Sequence, residues 1–179
     1  MNELNITTYD DKIPYLQRYD IWKYIVNSTY TLGWTDSFEP GKYDLNLHSN
    51  WTIKQLQDSG IYHYIETAIK NTEWFINKKI VKIVVNLVRS DDVYYIHNHA
   101  DTQSVLYYAN LDWQDGWYGE TIFYDPYDIK SIAHSSLYIP GRLILFDGSI
   151  PHAIRPQSIK APKYRFTLTV FYGVDKILK

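Results

Sequence analysis

The spacing of apolar positions changes partway along the chain. Between Asp11 and Ser28, Leu16, Tyr19, Trp22, Ile25 and Val26 recur at steps of three and four, with Pro14 in the first turn. That pattern predicts an amphipathic helix with a start signal. Residues 29–50 hold Gly33, Pro40 and Gly41 among polar side chains and read as a long irregular connection. Residues 51–75 read as two helical pieces broken near Ser59-Gly60, with Ile61, Ile65 and Ile69 at steps of four. From Lys79 the period drops to two. The β-branched run from Ile80 to Val88 predicts a strand buried on at least one face. Further short strands are predicted at 93–97, 104–110, 120–124, 136–139, 142–147, 151–155 and 164–172. Asp91-Asp92, Asp115-Gly116, Pro140-Gly141 and Asp147-Gly148 supply turns between them. Helices followed by about eight short strands predict a mainly β fold, a sandwich or barrel with N-terminal helices packed on one side. No repeat or linker interrupts the chain, so 1–179 reads as one domain, 1–79 helical support and 80–173 the β core.

Composition narrows the chemistry. The 18 basic and 20 acidic residues leave a net charge of −2, without the basic excess of a protein built to hold a nucleic-acid backbone. No nucleic-acid partner is expected. Cysteine is absent, which removes disulfides, thiolate metal sites and a cysteine nucleophile together. The start, Met1 to Lys12, is polar and acidic, and no apolar run nears the roughly 18 residues of a membrane span. The expectation is a soluble, cytoplasmic protein.

Histidine and carboxylate are then the natural metal ligands and acid–base groups. His99-Ala100-Asp101 puts an imidazole and a carboxylate two residues apart, on one side of an extended chain. His152 follows 51 positions later, just after an Asp147-Gly148 turn and Pro151. Two histidines and a carboxylate at a barrel mouth give three ligands on one octahedral face, with three positions open for ligands that must bind the metal directly. Taken singly, each of these residues has a plain structural alternative as a turn cap or strand-end residue. The last strand, Arg165 to Tyr172, alternates Arg165, Thr167, Thr169 and Phe171 on one face with an apolar set on the other. A guanidinium beside a hydroxyl is suited to holding a carboxylate. Tyr108 falls on a neighbouring strand, either as a second donor to that carboxylate or as a core tyrosine.

In this order the residues resemble the iron(II)- and 2-oxoglutarate-dependent oxygenases, and within them the prolyl hydroxylase (prolyl 4-hydroxylase-like) branch. Tyr107 to Trp113 resembles that branch's tyrosine-bearing strand, and Tyr118 to Phe123 its Gly-Glu-Thr strand. Pro140 to Phe146 resembles the strand leading to the distal histidine, at Pro151-His152. The likeness covers about residues 80 to 173. It implies a double-stranded β-helix, the jelly-roll or cupin-like barrel, buttressed by the helices. It implies iron(II) on His99, Asp101 and His152, and 2-oxoglutarate with its far carboxylate on Arg165, assisted by Tyr108 and Thr167. It further implies dioxygen as oxidant, ascorbate as reductant, succinate and carbon dioxide as products, and hydroxylation of a prolyl residue in a protein or peptide. The alternatives are a hydroxylase of a small metabolite or nucleobase on the same fold, and a jelly-roll binding module without catalysis.

The chain departs from the family pattern in three places. The connection from Arg155 to Lys163 is long, which makes Arg155 a rival anion binder. Asn86 to Arg89 lacks the tyrosine that the branch often carries before the triad, and Tyr94 or Tyr95 is a substitute or a packing residue. His97, two before His99, is read as lying behind the ligands or exposed. Trp113, Trp117 and Tyr118 either stack on a substrate ring or cover the end of the barrel. Residues 29–50 and 89–98 are candidate lids.

Overall fold

The computed structural model describes residues 4–34, 46–76, 79–92, 94–99 and 101–173. Strand β1 (Ile6–Tyr9) leads into α1 (Tyr15–Val26), followed by β2 (Thr31–Trp34) and β3 (Asn46–Asn50). Next come α2 (Ile53–Asp58), α3 (Tyr62–Lys70), β4 (Lys79–Val88) and β5 (Thr102–Tyr108). The chain continues through β6 (Thr121–Asp125), β7 (Asp128–Ser136), β8 (Leu143–Asp147), β9 (His152–Ile154) and β10 (Arg165–Gly173). Seven strands form an antiparallel sheet in the order β1-β8-β5-β10-β4-β3-β2, and three form a second in the order β7-β6-β9. An isolated antiparallel bridge between His97 and His152 extends the smaller sheet beyond β9.

The two faces of the large sheet have different partners, as strand alternation requires. Val85, Leu87, Val105, Tyr107, Leu143, Leu145, Leu168 and Val170 face the helices, packing with Ile21 and Ile25 of α1 and with Leu56, Ile65 and Ile69 of α2 and α3. Leu106, Tyr108, Ile144 and Phe146 face the small sheet, where they meet Phe123. The result is a jelly-roll barrel with a helical buttress: the patterning predicts a sandwich or barrel with helices on one side, and the resemblance implies the jelly roll. Helix α2 opens with a capping box between Thr52 and Gln55, and the break before α3 falls at Gly60, whose φ of 81° suits glycine. Arg18 of α1 donates to the Pro140 carbonyl at 2.7 Å and lies where a side chain on Gly141 would stand, tying helix to sheet. Among the described residues, no helix is long and apolar enough to cross a membrane.

Four expectations change. The span 29–50 carries β2 and β3, and its residues 35–45 lie outside those described. A strand appears at 128–136 rather than 136–139. It is an edge strand, exposed at all but its last residue, so its sequence shows no buried alternation. Residues 94–96 form no strand and His97 makes only the bridge to His152; Val93 is outside the described residues. Strand β1, short and half-buried, had no pattern to announce it.

Truncating a side chain at the helix–sheet interface should be far costlier than one on the β7 edge. Leu168→Ala, fully buried, is expected to lose about 2–5 kcal/mol in urea unfolding, and Ile132→Ala, exposed on β7, within about 0.5 kcal/mol of zero.

Candidate active site

Three imidazoles meet at one end of the barrel. The ligand-bearing nitrogens of His97, His99 and His152 lie within 4.8 Å of one another. Backbone pairing brings His97 and His152 together: each accepts the other's amide N–H, at 3.0 and 2.9 Å, so both side chains leave the same face. Their rings are 4.5 Å apart, and His99 stands 4.9 Å from His97 and 5.2 Å from His152. The His99 amide donates to the Gly148 carbonyl, and Gly148 has no room for a side chain against the His99 carbonyl and Thr102. The Asp147-Gly148 turn thus seats both the distal histidine and His99.

The rings are oriented as metal ligands usually are. His97 Nδ1 lies 2.9 Å from the Tyr95 carbonyl and His152 Nδ1 lies 2.7 Å from the Ile150 carbonyl. A carbonyl only accepts, so each Nδ1 carries a proton, and in a neutral ring such as His152 this leaves the lone pair on Nε2. Burial, reinforced by the neighbouring imidazoles, lowers the pKa of His152 to about 3 and of His99 to about 4. Both are neutral at physiological pH, the form that binds a metal.

Asp101 is not in this group. The chain turns between His99 and Thr102, whose amide and hydroxyl both donate to the His99 carbonyl, at 3.2 and 2.7 Å. Asp101 takes a left-handed φ of 65° and its side chain is exposed. The rule that residues two apart share a side holds only while the backbone is extended. Here it holds for His97 and His99, and the turn ends it before Asp101. His97, expected behind the ligands or exposed, is instead one of the three imidazoles.

The other predicted residues lie along β10 and its neighbours. Arg165 is fully buried. Its Nε donates to the Gly119 carbonyl at 2.9 Å, and the guanidinium sits 4.7 and 5.4 Å from the rings of Tyr138 and Tyr108. Among the described residues, its Nη1 and Nη2 have no hydrogen-bond partner. Thr167, also fully buried, has an unpartnered Oγ1. Tyr108 stands directly opposite Thr167 in the sheet, but its hydroxyl is engaged by Thr121 Oγ1 at 2.8 Å and the Ser136 carbonyl at 3.1 Å. What it offers the guanidinium is its ring. Arg155 is committed elsewhere, 2.8 Å from Glu120 and stacked over Tyr118. Trp113 packs on Tyr138 at 4.3 Å and would touch a side chain placed on Gly119, as Arg165 would, so it closes the Arg165 end of the barrel.

One cavity joins the histidines to the middle of β10, and Arg165 is not among the residues that line it. It is lined by the three histidines, by Thr167, Thr169 and Phe171 of β10, and by Asn86 of β4, among apolar neighbours that include Leu106 and Phe146. Asn86 went unremarked in the sequence, although one asparagine in the run IVKIVVNLV, on the face opposite Ile83, Val85 and Leu87, was a signal. The hydroxyl of Tyr94 points to Asp92 at 3.4 Å.

No protein-family model and no curated protein matches the chain. Solved structures do. A prolyl hydroxylase from Trichoplax adhaerens, in complex with a hypoxia inducible factor peptide fragment, superposes with a TM-score of 0.69 at 17% identity, over 98% of this chain and 86% of its own. HygX from Streptomyces hygroscopicus, with nickel and 2-oxoglutarate bound, gives 0.71 at 8% identity over 97% and 84%. An oxidoreductase of the 2OG-Fe(II) oxygenase family from Burkholderia pseudomallei gives 0.62 at 12% over 96% and 88%. The fold is that of the 2-oxoglutarate/iron(II) oxygenases, prolyl hydroxylases included.

The depressed imidazole pKa values set a pH dependence. The unfolded chain takes up protons near the ordinary value of 6.5, whereas folded His99 and His152 do not until about 4 and 3. Acid therefore favours unfolding, and stability present above pH 6.5 is lost as pH falls through that window. The melting temperature of the metal-free protein is expected to drop between pH 7.5 and pH 5, and His152→Gln to flatten the drop. An unchanged melting temperature over that range would contradict the assignment.

Proposed function

We propose that the protein is a non-haem iron(II), 2-oxoglutarate-dependent dioxygenase that hydroxylates an unactivated C–H bond, most plainly of a prolyl residue in a protein or peptide. The observation that carries the proposal is a single barrel interior holding three clustered imidazoles at one end and, on β10, a buried guanidinium whose Nη1 and Nη2 have no hydrogen-bond partner among the described residues. The donor set fits a divalent metal: the two most buried imidazoles are neutral, and carbonyl contacts at Nδ1 of His97 and His152 turn Nε2 inward. The strand face of Arg165 and Thr167 fits the far carboxylate of 2-oxoglutarate, with Tyr108 as the ring beneath the guanidinium.

In this reading His99 and His152 hold iron(II). The third ligand is His97, which backbone pairing brings to them, with Asp101 the competing ligand from the His-x-Asp spacing. Bound together, iron(II), 2-oxoglutarate and dioxygen supply the oxidising chemistry, converting a C–H bond to C–OH with release of succinate and carbon dioxide, and ascorbate keeps the iron reduced. The chain's own share is positional. Arg165 and Thr167 orient the co-substrate, the histidines fix the metal, and Leu106, Phe146, Ile154 and Phe171 exclude water from it. The prolyl target is supported by the Trichoplax neighbour, a prolyl hydroxylase that holds a peptide. We read 1–179 as one such domain. A binding module has no use for both a buried guanidinium with two unpartnered nitrogens and a cluster of three imidazoles in one barrel.

The test is succinate release from 2-oxoglutarate by the purified protein with iron(II), ascorbate and oxygen, with and without proline-containing peptides. Turnover stimulated by a peptide is expected, and His99→Ala or His152→Ala should weaken metal binding by about a hundredfold or more. Comparing metal affinity in His97→Ala and Asp101→Ala identifies the third ligand. A protein that binds no metal, or binds it and releases no succinate with any substrate offered, would count against the proposal.

A further inference from the structure

Across the barrel face of the large sheet runs a polar row. In the registers of three adjacent strands, Asn86 of β4 stands opposite Thr167 of β10, and Thr167 opposite Tyr108 of β5. Two atoms of this row, Asn86 Oδ1 and Thr167 Oγ1, are buried without a hydrogen-bond partner, and both residues line the cavity. One step along β10 on the same face is Arg165, whose Nη1 and Nη2 are also unpartnered. Buried polar atoms left unpaired are uncommon and costly, and four on neighbouring positions point to one missing partner. Water would satisfy the amide and the hydroxyl but would leave the guanidinium charge uncompensated. A carboxylate does all three tasks. It accepts from the guanidinium and the threonine hydroxyl, and from the Asn86 amide once that side chain is rotated to present its NH₂, since the amide's two ends are interchangeable by rotation.

We infer that Asn86 is the third arm of this seat and selects a co-substrate with a far carboxylate, a role that nothing about the neighbouring tyrosines supplies. Tyr108 spends its hydroxyl on Thr121 and Ser136, and Tyr94 turns toward Asp92. Asn86 is the polar side chain that β4 turns into the cavity. The inference rests on the proposed function, because it names how that co-substrate is gripped.

The experiment is calorimetric titration of the manganese(II)-loaded protein with 2-oxoglutarate and, separately, with pyruvate, which has the same metal-binding end and no far carboxylate. Asn86→Ala should weaken 2-oxoglutarate by about tenfold, the loss of one hydrogen bond to a charged group. Asn86→Asp, nearly isosteric, sets a like charge against the far carboxylate and should weaken it by about a hundredfold or more. Pyruvate affinity, manganese affinity and melting temperature should stay at wild-type values in Asn86→Ala. If Asn86→Asp does not fold, Asn86→Ala carries the test. Wild-type affinity for 2-oxoglutarate in the variants, or equal losses for 2-oxoglutarate and pyruvate, would overturn the inference and leave the proposed function standing. No binding of 2-oxoglutarate to the loaded wild type would overturn both.

Discussion

A fully buried guanidinium with four of its five N–H donors unpaired among the described residues is the feature around which the barrel is arranged. Arg165 has no exposed surface, and its one hydrogen bond runs from Nε to the Gly119 carbonyl. Burying such a charge costs several kcal/mol even after relaxation, and cation–π contact with Tyr108 and Tyr138 offsets only about 0.5–2 kcal/mol. The surroundings hold it in place nonetheless. Gly119, at a φ of 84°, lets the backbone pass where a side chain would strike both Arg165 and Trp113. Tyr138 stacks on Tyr108 at 4.3 Å, and its hydroxyl is fixed 2.7 Å from Asn110 Oδ1 and 2.6 Å from the Phe166 carbonyl. An anion seated at the guanidinium, as proposed, would complete its pairing.

The opposite end follows a complementary logic. There His99 and His152 are neutral, because burial suppresses their protonation, and carbonyls fix the rings of His97 and His152. A cation at that end and an anion bridging toward Arg165 would together convert a strained interior into a satisfied one. The strands set the separation: His99 packs edge-on against Phe171, six residues along β10 from Arg165. The helices, by covering the other face of the same sheet, keep β4, β5, β8 and β10 from shifting register.

Much of this was legible in the chain. The alternation RFTLTVFY separated Arg165, Thr167, Thr169 and Phe171 from the helix-facing set, and the break at Ser59-Gly60 was visible in the spacing of Ile61, Ile65 and Ile69. The turn at Asp147-Gly148 and His152 beyond it were also legible. What escaped has physical reasons. Strand β7 lies on an open edge and buries only its last residue, Ser136, so no pattern records it. The grouping of His97 depends on a backbone pairing 55 residues away and on a turn at Asp101, and periodicity reports neither. Asn86 was read for the tyrosine it is not, rather than for the polar atom it places on an apolar strand.

The most direct test of this account is thermal unfolding of wild type and Arg165→Met, each loaded with manganese(II), with and without 2-oxoglutarate. Removing an unpaired buried charge should make the variant melt higher than wild type in the absence of co-substrate. Adding 2-oxoglutarate should then raise the wild-type melting temperature in a concentration-dependent way and leave the variant unmoved. A variant that melts lower than wild type, and is stabilised by 2-oxoglutarate as much, would show that Arg165 serves the fold and not the ligand.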